Sequence, residues 1–191
     1  MTTPRAPRAD AVRNRRRILD AARTEVDAHG ADAAMEDIAR TAGVAVGTLY
    51  RHFPSKTDLV AAVIDEFVGT VAEDAEASLA RARAGSRAAT EVAGFLSRVT
   101  DSAAAQHHVK AAARALGLEV LRKEPDELAA AAALSELLVM AQEAGDIRAG
   151  ITLEDMYLLM ATVPSDQPPA ARERWLQLLH AGIDSAGSLE A

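Results

Sequence analysis

Residues 35–59 read MEDIARTAGVAVGTLYRHFPSKTDL, and this stretch is the most informative part of the chain. It opens with a short amphipathic segment in which Ile38 supplies the inward apolar side chain, and Ala39 is small enough to let a second helix cross closely. Gly43 then turns the chain, because glycine enters the left-handed region without a Cβ clash. A second short segment and the start of a third follow. The spacing therefore predicts a helix-turn-helix.

The second helix of this motif has a buried side and an exposed side. Val44 and Leu49 are predicted to be its buried pair. The other residues then point outward from a very short helix, as an element that enters the major groove of DNA requires. These outward residues are Ala45, Val46, Gly47, Thr48, Tyr50 and His52.

A longer pattern runs through the motif, and it consists of Ala42-Gly43-Val44, Gly47, Leu49-Tyr50, His52-Phe53, Lys56 and Leu59. It resembles the DNA-binding domain of the TetR-type bacterial transcriptional regulators, whose pattern is AGV-x-x-G-x-LY-x-HF-x-x-K-x-x-L. Every position matches, over roughly the first third of the chain. A bare helix-turn-helix pattern would be weak evidence, but an LYxHF segment followed by lysine at the next helix start is much rarer by chance.

The resemblance implies a role in DNA binding for four polar residues. Thr48, Tyr50 and His52 would donate hydrogen bonds to phosphate oxygens, which agrees with their side-chain chemistry. Lys56 would bind a phosphate at a helix N-terminus, where free backbone N–H groups favour the same anion. The alternative for Tyr50 and His52 is that they only cover the small core of the domain.

The motif departs from the family at two places. Ala34 and Met35 stand where hydroxyl-bearing residues often cap the first helix and contact phosphate, so this helix is predicted to be under-capped. The base-reading positions Ala45, Val46 and Gly47 are small and apolar, and they offer little beyond contact with thymine methyl groups. This helix alone is therefore predicted to discriminate weakly between DNA sequences.

The N-terminal segment is strongly basic. Residues 1–17 carry a net charge of +5 in a chain whose total is −7. Before a DNA-reading motif, such a segment is predicted to follow phosphates or enter a minor groove, with Arg13, Arg15 and Arg16 as contact residues. The alternative is a solvated tail that aids solubility. Residues 61–191 carry a net charge of −9 and are expected to stay away from DNA.

Length and composition set the outer bounds. The 191 residues allow a small domain and a larger one, predicted as a DNA-binding domain over 1–60 and a helical effector-binding and dimerisation domain over 61–191. The absence of cysteine excludes disulfides and thiolate metal sites. No apolar run reaches the length of a signal peptide or a membrane span, so we expect a cytoplasmic protein with no membrane partner. No cofactor is predicted.

Every long segment has helical periodicity, so an all-α fold is predicted. Ser55 with Asp58, and Thr152 with Asp155, form capping boxes. The long helix that Ser55 starts passes from the first domain into the second, and it can therefore transmit movement. Helices are predicted near 11–29, 55–83, 87–104, 106–121, 125–144, 152–163 and 169–184.

The last two predicted helices carry apolar stripes that are too apolar for helices facing only water. The stretch AQEAGDIRAGITLEDM, residues 141–156, looks like a segment of actinobacterial members of the same family. That weaker resemblance implies a homodimer formed through the last two helices. Packing against the core of the same chain is the alternative, and both roles can coexist. The predicted interface residues are Met156, Met160, Trp175, Leu178, Leu179 and Ile183.

The resemblance also implies a cavity for a small-molecule effector among the helices between about 57 and 145. A mostly apolar pocket with one hydroxyl is predicted, although residues at such spacing are often plain core. The adjacent His107 and His108 point about 100° apart on a helix, so they cannot easily share one metal ion. The predicted lining residues are Phe67, Phe95, Val99, Leu116, Leu121, Leu137, Met140 and Tyr157.

The predicted function is that of a homodimeric transcriptional repressor. It would bind a palindromic double-stranded DNA operator and release it when an unknown small molecule occupies the second domain. An all-α enzyme with an incidental helix-turn-helix is disfavoured, because no Ser/His/Asp constellation, phosphate-cradling glycine loop or paired metal-binding residues occur. A ligand-independent architectural DNA-binding protein is hardly distinguished from a sensor by the sequence.

Overall fold

The computed structural model describes residues 7–118 and 125–184. Within those ranges the chain forms α-helices, one 3-10 turn at Gly30–Asp32 and an isolated antiparallel bridge between Ile147 and Asp184, with no strand. The predicted all-α fold is therefore confirmed. The helices are α1 (Pro7–His29), α2 (Met35–Ala42), α3 (Val46–His52), α4 (Lys56–Arg83), α5 (Ala88–Ala105), α6 (His107–Ala115), α7 (Pro125–Glu143), α8 (Leu153–Ala161) and α9 (Pro169–Ile183).

The described residues form two compact units. Residues 7–67 and 108–118 belong to the first, and residues 68–107 and 125–184 belong to the second. Helix α4 therefore starts in the first unit and continues into the second. The domain boundary predicted from the sequence, between residues 60 and 61, falls near the start of α4, a few residues before the division between the two units. The helical periodicity of the sequence could not predict that most of α6 belongs to the first unit.

The core of the first unit includes apolar side chains from each of the first four helices. Ile18 and Val26 of α1 are buried together with Ile38 of α2, Leu49 of α3 and Leu59 of α4. Complete burial of such a side chain stabilises a fold by roughly 1.5–3 kcal/mol relative to exposure. Burial of Leu49 in this core therefore holds α3 against α2.

The ends of the short helices follow the predicted chemistry. Ala34 precedes α2 in an extended conformation without a side-chain cap, so the predicted under-capping is confirmed. Helix α2 ends at Gly43, whose φ of 63° lies in the left-handed region. Before α4, the Ser55 N–H donates to Asp58 Oδ2 (3.0 Å) and the Asp58 N–H donates to Ser55 Oγ (3.1 Å), which confirms this capping box.

Helix α8 begins with the second predicted capping box. The Thr152 N–H donates to Asp155 Oδ2 at 2.8 Å, and the Asp155 N–H donates to Thr152 Oγ1 at 3.2 Å. The backbone hydrogen bond from Thr152, followed by that from its hydroxyl, lowers the pKa of Asp155 below its ordinary value. The charged carboxylate is thus the form that caps the helix.

The core of the second unit lies mainly between α5 and α7. Phe95 and Leu96 of α5 are buried against Leu134, Leu137 and Leu138 of α7. Helices α8 and α9 pack on the same core. The helices are alanine-rich, and small side chains let them approach closely around these larger ones.

Two polar side chains are buried in the second unit, and both have partners. The Thr100 hydroxyl donates to the Leu96 carbonyl at 2.7 Å. The Ser78 hydroxyl oxygen accepts hydrogen bonds from Arg81 (3.0 Å) and Arg98 (2.9 Å). Their burial therefore leaves no unsatisfied hydroxyl in the core.

Two helix boundaries differ from the predictions. Helix α1 begins at Pro7 rather than near residue 11, because proline suits the first turn of a helix. Helix α6 ends at Ala115 rather than near residue 121. The Leu118 N–H donates back to the Ala113 carbonyl at 2.9 Å, a bond that closes the C-terminus and turns the chain away.

Candidate functional site

Helix α3 is held by its buried side and presents the opposite side to solvent. Leu49 is fully buried in the first unit. Val46 and Tyr50 are exposed, at 38% and 41% respectively, and Ala45 and Gly47 are exposed beside them. The small residues at the start of the helix make a low surface, which suits close approach to a macromolecular groove.

The other predicted residues around α3 are less exposed. Thr48 and His52 are half-buried, and the His52 ring centroid lies 6.3 Å from that of Phe53. Val44, predicted to be buried, is half-buried because it lies in the turn before the helix. The Lys56 ammonium donates to the Ala31 carbonyl, so binding of a phosphate would require it to turn away from that partner.

The turn between α2 and α3 is supported by an arginine that sequence reasoning left unassigned. Arg17 Nη2 donates to the Gly43 carbonyl at 3.2 Å. A Cβ atom built on Gly43 would lie 2.4 Å from the same Nη2 atom. The glycine thus allows both the left-handed turn and the close approach of Arg17. The signal that could have identified Arg17 in the sequence was its position within one helical turn of Arg13–Arg16.

The predicted DNA-binding arginines of the N-terminal segment lie on α1. Arg13 pairs with Asp10 one turn earlier. The Arg15 guanidinium carbon lies 5.1 Å above the centre of the Phe53 ring, which is a cation–π contact near the end of α3. Arg16 is exposed. A helix, rather than an extended arm, therefore carries these three arginines.

A further arginine, Arg51, was not among the predicted DNA-binding residues. It is exposed on α3, and its Nε donates to the Gly47 carbonyl at 3.0 Å. Its position four residues after Gly47, on the same helical face, was the signal that could have identified it.

The predicted effector-lining residues that lie in the described ranges are divided between the two units. Phe95, Val99 and Leu137 are buried in the second core, and Met140 packs partly against it. Tyr157 is 41% exposed, so its ring lies at the surface. These placements favour the plain-core alternative for the three buried residues.

The remaining lining candidates lie elsewhere. Phe67 and Leu116 belong to the first unit, and Leu121 lies outside the described residues. The Lys110 ammonium nitrogen lies 4.7 Å from the centre of the Phe67 ring. Burial, and then repulsion from Arg114, lowers the pKa of Lys110 below its ordinary value.

The second unit contains a groove of about 370 Å³ that none of the predicted effector-lining residues borders. Arg87 crosses it as a bidentate partner of Asp146, with Nε–Oδ2 and Nη2–Oδ1 distances of 2.8 and 2.5 Å. The hydrogen bonds from Arg87 hold the pKa of Asp146 below its ordinary value. The groove is lined by Arg87, Ala89, Thr90, Ala93, Asp146, Ile147, His180, Ile183 and Asp184.

The predicted dimerisation residues divide into two groups. Met156, Leu179 and Ile183 are buried in the second core, with 2%, 7% and 5% of their surfaces exposed, and Met160 and Trp175 pack partly against it. The three buried side chains therefore favour packing within the same chain, because little of their surface is left for a partner.

Two leucines remain exposed on the last two helices. Leu178 of α9 is 58% exposed, and Leu158 of α8, which the sequence prediction omitted, is 64% exposed. An apolar stripe runs along α9 as predicted, but the sequence pattern did not indicate which of its residues face the core. Leu158 sits next to the predicted stripe and was detectable only once the buried side of α8 was known.

The described residues hold no helix that combines the length and apolarity needed to cross a membrane. The same residues contain no group of three or more His, Asp or Glu side chains placed to hold a metal ion. His107 lies 3.2 Å from the Ser165 hydroxyl and His108 lies 2.6 Å from an Asp27 carboxylate oxygen, so the two histidines have separate partners.

Two family models match the chain. The first, described as bacterial regulatory proteins of the tetR family, matches residues 18–63. The second, described as the C-terminal domain of SbtR-like transcriptional regulators, matches residues 87–185. Together they cover the helix-turn-helix and most of the second unit.

Solved structures give a concordant result. A TetR transcription regulatory protein from Mycobacterium vanbaalenii is 34% identical, with 94% of this chain and 99% of that chain covered and a TM-score of 0.72. A TetR transcriptional regulator from Streptomyces coelicolor is 30% identical, with 89% and 98% covered and a TM-score of 0.67.

Curated relatives match over a shorter stretch. An HTH-type transcriptional regulator from Staphylococcus aureus is 42% identical over 64 residues, which are 33% of this chain and 35% of that protein. The A-factor receptor protein of Streptomyces griseus is 42% identical over 74 residues, which are 38% of this chain and 27% of the receptor. The matches thus span about a third or less of these relatives. Two family models match this chain, and the two solved structures match it over nearly their whole length. The chain therefore belongs to the TetR family of DNA-binding transcriptional regulators, which are not enzymes.

Proposed function

We propose that this regulator is a homodimeric repressor, which binds a palindromic operator and releases it when a small molecule occupies its second unit. The observation that carries the proposal is the placement of α3. Fully buried Leu49 anchors the helix, while Val46 and Tyr50 on the other side stay exposed. A short helix fixed in this way can enter a major groove without unfolding any core contact.

DNA contacts are proposed for three sets of residues. Ala45, Val46 and Gly47 would meet the base edges, with Val46 against a thymine methyl group. The hydroxyl of Tyr50, together with Thr48 and His52, would donate to phosphates. The remaining proposed contacts come from Lys56, Arg13, Arg15 and Arg16.

Self-association is proposed through α8 and α9. Leu158 and Leu178 expose large apolar surfaces there, at 64% and 58%. A second copy related by a two-fold axis would cover them with the same two helices. Such a dimer presents two α3 helices, which must reach major grooves about one helical turn, roughly 34 Å, apart.

Release by an effector requires no covalent reaction, only a shift between two conformations. The molecule must bind more tightly to the conformation in which the two α3 helices are wrongly spaced, and the shift cannot exceed that difference in affinity. One relative is named a receptor, the A-factor receptor protein, and its similarity to this chain supports a small-molecule effector here. Partly accessible Met140 and Tyr157 are the candidate lining residues to be tested first.

The dimer is tested by removing its proposed apolar contacts without touching the core. Leu158→Glu combined with Leu178→Glu places four carboxylates in the symmetric interface, and each lost anchor removes on the order of 2 kcal/mol. We expect monomers at micromolar concentration in sedimentation, weakened operator binding and an intact circular dichroism spectrum. The matched control is Val12→Glu, because Val12 is 68% exposed on α1. Its dimer should persist.

Operator duplexes for this test come from genome-wide mapping of bound sites. A double variant that stays dimeric would place the interface elsewhere. A wild-type protein that is monomeric while bound to its mapped sites would refute the two-fold operator. Occupancy that no cellular extract or metabolite fraction reduces would favour a ligand-independent regulator.

A further inference from the structure

Arg51 folds back along α3 instead of extending from its end. Its Nε donates to the Gly47 carbonyl at 3.0 Å, and the residue is exposed. This bond holds the guanidinium beside the first turn of the helix. In a helix-turn-helix, the N-terminal part of the recognition helix is the part that contacts base edges. The guanidinium therefore lies over the surface that faces the bases.

Two other cations around the motif already have hydrogen-bond partners. Arg17 donates to the carbonyl of Gly43, and Lys56 donates to the carbonyl of Ala31. In contrast, only Nε of Arg51 has a partner within the described part of the chain. A guanidinium carries five N–H donors in a planar fork, so the Nη edge of Arg51 is available for another molecule.

The three residues proposed to face the bases offer no polar side-chain atom. Ala45 and Val46 have no polar side-chain atoms, and a Cβ built on Gly47 would meet nothing within 4 Å. The surface is therefore low enough for a base pair to approach the guanidinium. Two parallel N–H donors match the O6 and N7 acceptors of guanine, which is the commonest specific arginine contact in the major groove.

We propose that Arg51 is a specificity-determining residue, which reads one guanine in each half-site of the operator through Nη1 and Nη2. This inference rests on the proposed function only in that α3 must enter the major groove. It supplies the polar base contact that Ala45, Val46 and Gly47 cannot make.

The test is selection of bound duplexes from a random double-stranded DNA pool, followed by sequencing. The proteins compared are the wild type, Arg51→Ala and Arg51→Gln. The matched control is Arg40→Gln, which removes another exposed arginine, on α2, that already pairs with Asp37. Circular dichroism verifies that each variant is folded, and glutamine keeps the helix propensity of position 51.

We expect the wild-type motif to contain a guanine at symmetry-related positions. Replacement of that guanine should weaken wild-type binding on the order of 10- to 100-fold per half-site, whereas Arg51→Ala should bind both duplexes alike. Arg51→Gln should lose the guanine preference and favour adenine, whose N6 and N7 atoms suit a carboxamide. Arg40→Gln should select the wild-type motif.

An unchanged motif in both Arg51 variants would overturn the inference while leaving DNA binding in place. Equal loss of affinity on every duplex, with the motif unchanged, would also overturn it, because Arg51 would then contact phosphate. A wild-type protein that enriches no motif at all would refute the proposed operator binding itself. The two failures are therefore distinguishable.

Discussion

Replacement of Gly43 by alanine should destabilise the helix-turn-helix for two separable reasons. The first is the backbone, since φ at Gly43 is 63° and an L-residue in this region costs about 1–2 kcal/mol. The second is Arg17, whose Nη2 lies 2.4 Å from the position of the new Cβ. A long side chain can move aside, but it then loses its hydrogen bond to the turn, worth about 0.5–1.5 kcal/mol.

A matched glycine isolates the second contribution. Gly30 has a φ of 59°, and a Cβ built on it would meet nothing within 4 Å. Gly30→Ala should therefore show the backbone cost alone, about 1 kcal/mol, while Gly43→Ala should cost about twice that. For a chain of this size, each kcal/mol lowers the unfolding midpoint by roughly 2–4 °C.

The assay is urea unfolding followed by circular dichroism, applied to a double-mutant cycle of Gly43→Ala and Arg17→Ala. Arg17→Ala should cost about 0.5–1.5 kcal/mol in the wild type and almost nothing when alanine occupies position 43. Binding to an operator duplex should weaken in Gly43→Ala more than in Gly30→Ala, because only the former changes the start of α3. Equal costs for both glycine variants, with additive effects of Arg17→Ala, would refute the reasoning.

Two further predictions concern charged side chains. Because capping by Thr152 lowers the pKa of Asp155, the charge stabilises the fold above the ordinary pKa and this contribution is lost as pH falls through the folded-state pKa. The difference in unfolding midpoint between wild type and Asp155→Asn should thus be full well above the ordinary aspartate pKa of about 3.9 and should shrink as the pH falls below it. A pH-independent difference would contradict this expectation. Because burial lowers the pKa of Lys110, its charged form is disfavoured in the fold. Lys110→Met should therefore raise the unfolding midpoint at neutral pH. The control Lys56→Met, which loses a hydrogen bond, should lower the midpoint. A lower midpoint for Lys110→Met would show that the contact of Lys110 with the Phe67 ring outweighs the cost of its burial.

Local features of this protein were predictable because their causes lie within a few residues. The uncapped start of α2 follows from Ala34, and the left-handed turn follows from Gly43. The two capping boxes need only the pairs Ser55 with Asp58 and Thr152 with Asp155. Family membership was equally accessible, since the motif over residues 42–59 is contiguous in the chain.

Side-chain roles on the long helices were less accessible. On α9, Leu178 and Leu179 are neighbours in one apolar stripe, yet one is 58% exposed and the other 7%. Periodicity identifies a stripe about 100° wide, but it does not say which edge the rest of the unit covers. For the same reason, periodicity did not show whether Phe95 and Leu137, which are both completely buried, line a pocket or belong to the plain core.

The helical class, the helix-turn-helix and the family could all be predicted from the chain alone, because these depend on contiguous residues and on backbone preferences. The directions of the cations near the motif, in contrast, became known only from the folded chain. Lys56 turns to the Ala31 carbonyl, Arg17 to Gly43, and Arg51 to the start of its own helix. Each long side chain has many rotamers of similar energy, so its partner is set by what the fold brings within reach, often far away in the chain.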